Sequence, residues 1–156
     1  MSAFRIARSL KASGRYADAL RELDVCRVEK IHRQEAKIFR LDLLAAVGRH
    51  DDAKTLAKAL LAEGDLSPQS RSACEVALGT TSAESGSVEV ALQHFQRAVR
   101  FAVHAGDTER VLSAQVPLAL FTCDRSGPDA ARPLISDMRA NAIKLGHPHW
   151  TALGHV

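Results

Sequence analysis

Apolar positions along the chain recur every three or four residues, not every second one, which is the period of helices that bury one face. Turn signals interrupt this pattern at Ser13-Gly14-Arg15-Tyr16, Val47-Gly48-Arg49-His50, Ser85-Gly86-Ser87-Val88 and Ser126-Gly127-Pro128-Asp129. The four glycines stand 34, 38 and 41 residues apart. Each follows a stretch of helical periodicity and precedes another. A helix that stops on a glycine and reverses into its neighbour has this arrangement, so the predicted unit is a helical hairpin.

Small residues recur at the fifth position after the turn glycine, at Ala19, Ala53 and Ala91, with Ala131 four beyond Gly127. A methyl group there lets the two helices of a hairpin approach closely, while Leu23 and Phe95 one turn later fill the space beside it. A second set of breaks, Gly64-Asp65 with Ser67-Pro68, Gly106-Asp107-Thr108, and Gly146-His147-Pro148, separates one hairpin from the next. Each combines a glycine stop with residues that start a helix. Hairpin follows hairpin, as in a solenoid.

In this register the third unit carries Leu78-Gly79, Ala91, Phe95 and Ala98, and it closely resembles the tetratricopeptide repeat. The first unit shares Gly14, Tyr16, Ala19 and Leu20 with that pattern, with Ala7 at the small position. The second keeps Gly48 and Ala53 but has Leu41 where a small residue belongs. In the fourth, the second helix comes one residue early and Cys123 stands at an aromatic position. Trp150, Leu153 and Gly154 match the opening of a fifth unit. The 40-residue interval from Gly106 to Gly146 is also similar to the MalT-like repeats of large bacterial regulators.

The resemblance implies an all-α, right-handed superhelix of antiparallel hairpins. Its units span 1–33, 34–66, 68–106 and 107–146, with 147–156 beginning a fifth, so the chain reads as part of a longer array. A last helix without a partner predicts fraying or pairing with a second copy.

Composition agrees with helices: the 156 residues are 46% hydrophobic but only 4% aromatic, which supplies a core without favouring sheet. No apolar stretch approaches membrane-spanning length, and no leader-like segment opens the chain. Cys26, Cys74 and Cys123 are too widely spaced for a metal knuckle or a disulfide framework, and suit a reducing cytoplasm. The formal charge of +3 conceals a basic first third.

The resemblance implies that first helices line a concave face through Phe4, Arg8 and Lys11; Ile38, Asp42 and Ala45; Val76, Thr80 and Ala83; and Pro117, Phe121 and Asp124. This describes an apolar groove with a basic end, suited to a peptide, a helix of a partner protein, or another domain of a parent chain. The Lys and Asn pair with which some family members clamp a peptide carboxylate is replaced by Phe4/Arg8 and Ile38/Asp42. Alternative readings are a small-ligand sensor in a signalling or transcriptional regulator, and a nucleic-acid binder.

The nucleic-acid reading rests on Arg27, Lys30, Arg33, Lys37 and Arg40. Glu29 and Glu35 interrupt this stripe, and no aromatics alternate with it for base stacking, which favours a solvated face. His147, His149 and His155 have no carboxylate or thiolate nearby in sequence to complete a metal shell. No P-loop, GxGxxG, GxSxG or HExxH motif occurs, and the expectation is a non-catalytic chain without metal or cofactor. Pro117 removes a donor from the middle of a predicted helix, and a kink is expected there.

Overall fold

The computed structural model describes residues 3–25 and 33–146. Cys26, Arg27, Lys30, the hairpin boundary near His32, the terminal histidines and the proposed opening of a fifth unit lie outside these residues. The described residues form eight helices and no strand. They are α1 (Ala3–Ala12), α2 (Tyr16–Val25), α3 (Arg33–Ala46), α4 (His50–Glu63), α5 (Pro68–Glu84), α6 (Val88–Ala105), α7 (Thr108–Ser126) and α8 (Pro128–Leu145). No helix among them is long and apolar enough to cross a membrane.

Three hairpin turns share one hydrogen-bond pattern. The N–H of Gly14, Gly48 or Gly86 donates to the carbonyl three residues back, and the next N–H donates five residues back, as in Arg15 to Leu10 at 2.9 Å. This closure needs a left-handed residue, and the glycines take φ of 77°, 77° and 81°, which costs glycine nothing. The fourth turn differs because Pro128 has no N–H to make the second bond. Only Gly127 separates α7 from α8, and its N–H donates to Cys123 O at 2.8 Å.

Two helix starts, those of α5 and α7, are capped by side chains. Ser67 Oγ accepts from Ser70 N at 3.2 Å, and Asp107 Oδ1 accepts from Arg110 N at 3.0 Å. Each satisfies a first-turn donor that has no partner within its helix. Pro117 lies inside α7, and the helix runs past it without a break.

Each helix packs on the next in sequence, α3 also packs on α5, and α5 on α7. Ala19, Ala53, Ala91 and Ala131 are all fully or almost fully buried, so the methyl positions after each turn do lie at close helix contacts. Helices α5 and α6 approach closely where Gly79 meets the Phe95 ring and Ser72 Oγ donates to Ala98 O at 2.9 Å. One apolar cluster runs through α1 to α5 around Leu41, Leu43 and Leu60. A second gathers Ala91, Phe95 and Leu118, with Phe121 of α7 and Leu134 of α8 packed against it.

Candidate functional site

The first helices of the hairpins bring their polar ends together. Arg8 and Lys11 near the end of α1, Gln34 to Asp42 on α3, Gln69 and Ser70 at the start of α5, and Arg110 and Ser113 on α7 line a cavity of about 720 Å³. Its size is that of a ligand or peptide site.

Asp42 is the hub of this cavity. Arg110 Nη1 and Nη2 donate to its two oxygens at 3.1 and 3.0 Å, and Lys11 Nζ donates at 3.4 Å. Arg8, one turn before Lys11, pairs with Glu35, two turns before Asp42. Burial pulls the Arg110 guanidinium toward neutrality, but the Asp42 carboxylate, helped by Asp107 and Glu109, outweighs it and holds its pKa above the ordinary value. Apolar surface backs the charges: Lys11 lies over the Phe39 ring at 5.1 Å, and Ile38 is buried beneath.

The cavity is more polar than the expected apolar groove with a basic end. Arg8, Lys11, Ile38, Asp42 and Ala45 do meet at one cavity, but its charges are largely paired within the chain. Phe4 does not line it; that ring packs edge-on against Phe39 at 5.6 Å, with Arg8 above it at 4.8 Å. Val76 and Thr80 lie half-buried further along α5, where Thr80 Oγ1 donates to Val76 O at 3.0 Å. Neither lines the cavity.

Phe121 lies apart from this cavity. It stacks on Phe95 at 5.8 Å and lines a separate hollow of about 560 Å³ with Gly86, Val88, Val90 and Arg125. Counting from the turn glycine places Phe121 opposite Thr80. The helix starts Ser67 and Asp107, the buried Ala91 and Ala131, and the stops Gly106 and Gly146 all lie forty positions apart. In that register the counterpart of Thr80 is Leu120, which is 61% exposed. The shortened turn at Gly127 causes the one-residue slip, and the matching helix starts are the sequence signal that corrects it.

The basic stripe is largely neutralised where it is described. Lys37 pairs with Glu63, and Arg40 pairs with Asp24 at 2.5 Å. A second polar cluster, missed in the sequence reading, lies between α5 and α6. There His94 Nδ1 stands 2.7 Å from the buried Glu75 Oε2, to which Arg97 Nε also donates at 3.1 Å. Cys74 beside it is buried, and desolvation pushes its thiol up to about 12. Among the described residues no group of three or more His, Cys, Asp or Glu is arranged to hold a metal. No protein-family model and no curated protein matches this chain.

Proposed function

We propose that this chain is a non-catalytic protein-interaction module of the tetratricopeptide kind: a right-handed helical solenoid whose concave face holds a peptide, a helix of a partner, or a neighbouring domain. The observation that carries this reading is the convergence of four first helices on one cavity. Arg8, Lys11, Asp42 and Arg110 come from three hairpins and border a single space. Ten residues beyond Arg110 on the same helix α7, the exposed Leu120 offers an apolar anchor point. Polar orientation beside apolar anchoring is how a groove holds a peptide.

The test selects displayed peptides against the full chain, then measures their affinity for Leu120→Asp and for Arg8→Glu with Lys11→Glu. Loss of binding at unchanged helical circular dichroism supports the reading. Peptides that bind the variants as tightly as the parent, or a selection that yields none, would count against it.

The second reading, a small-ligand sensor of a regulatory protein, is favoured by one observation: the same cavity lies within the usual volume range of ligand sites and is lined by many polar groups. It predicts that a polar small molecule stabilises the chain against heat in a ligand screen, and that Arg8→Glu removes the effect.

A further inference from the structure

Asp42 belongs to the second hairpin and Arg110 to the fourth, 68 residues further along. In a stacked helical array each unit ordinarily touches only its neighbours. This contact passes over the third hairpin. It is two-pronged, the geometry in which a guanidinium and a carboxylate hold each other most directionally. Both side chains are only about a quarter exposed. Lys11 brings the first hairpin to the same carboxylate. Helix α5, of the third hairpin, packs against both α3 and α7. Its buried Cys74 is close enough to feel the charges of both Arg110 and Asp42.

We propose that the Asp42–Arg110 pair is a latch that draws α3 and α7 together over α5 and so sets how far the cavity opens. Neighbour packing fixes the angle between successive first helices only through small contacts at each step, and small errors accumulate along an array. A contact across two steps removes that freedom. With the latch closed, the second, third and fourth hairpins move as one body and Cys74 stays sealed. With it open, the layer of first helices widens and α5 is less covered. This inference does not depend on what the cavity binds.

The experiment uses the full chain with Asp42→Asn, Arg110→Met and the two combined. Small-angle X-ray scattering gives the radius of gyration, and a neutral maleimide, located by mass spectrometry, reports access to Cys74. Each single variant is expected to be larger than the parent and to modify Cys74 several-fold faster. The double variant should go no further than either single one, because the two substitutions remove the same contact. If a variant loses its helical signal, Arg110→Lys replaces it, since lysine keeps the charge but not the fork; an intermediate opening is then expected. Folded variants with the parent's scattering profile and the parent's protection of Cys74 would overturn the proposal, as would effects that simply add.

Discussion

Phe95 lies so close to the backbone of Gly79 that a methyl group built there would stand 2.6 Å from Phe95 Cε1. The ring is fully buried and stacks on Phe121, so it cannot easily retreat. Gly79→Ala therefore sets an overpacking cost of about 1 to 3 kcal/mol against the gain of about 1 kcal/mol from replacing a glycine inside a helix. The expected net result is a lower urea midpoint. Phe95→Leu in the same chain should recover part of the loss, giving a non-additive cycle; a stabilised Gly79→Ala chain would mean that α5 and α6 are not in close contact.

Cys74 is buried, and desolvation pushes its thiol to about 12, above the ordinary 9.0. The folded state therefore prefers the neutral thiol more strongly than the unfolded state does. Its contribution is fully present below the unfolded value and is lost as pH rises toward 12. In native protein at pH 8, alkylation at Cys74 should lag far behind that at the partly exposed Cys123 and equalise on unfolding. Between pH 9 and 11 the urea midpoint should fall less steeply in Cys74→Ala than in the parent. Equal reactivity of the two thiols in the folded chain would remove the basis for this expectation.

Two helix starts carry side-chain caps. Ser67→Ala and Asp107→Ala should each cost about 0.5 to 2 kcal/mol in thermal or urea unfolding. Asp107→Asn keeps an acceptor for Arg110 N and should cost much less. If Asn proves as harmful as Ala, the charge of Asp107 next to Arg110 matters more than the cap.

Turn chemistry made most of the helix pattern readable. Gly14, Gly48 and Gly86 each sit where a left-handed residue closes the turn, and the small Ala19, Ala53 and Ala91 are buried one turn further on. Both constraints act within a few residues, so local sequence carries them. The site was less readable because its main contact is not local. Asp42, which lines the cavity, is among the positions the repeat pattern selects, but nothing near it points to Arg110, which reaches it only after the turns at Gly48 and Gly86 and the whole third hairpin. Arg110 also lies outside the first-helix positions that the repeat pattern assigns to the groove. A count from Gly127 selects Phe121 for a local reason: Pro128 removes a turn bond and shortens the connection, so the count runs one residue past the exposed Leu120 to a packed phenylalanine.

The remaining prediction concerns the basic stripe. Lys37 and Arg40 are paired with Glu63 and Asp24 from flanking helices, and exposed pairs of this kind contribute little stability but do cancel the field of each cation. The parent chain should bind single-stranded RNA weakly at moderate salt. Asp24→Asn with Glu63→Gln frees two cations beside Arg33 without disturbing the core. Two freed cations should steepen the dependence of log affinity on log salt by roughly 1.4 for a single strand. Fluorescence anisotropy with a labelled oligonucleotide across a salt series measures both chains. If the parent already shows the steep slope and the double variant does not change it, the stripe engages phosphates despite its acidic partners, and the nucleic-acid reading regains its place beside the peptide groove.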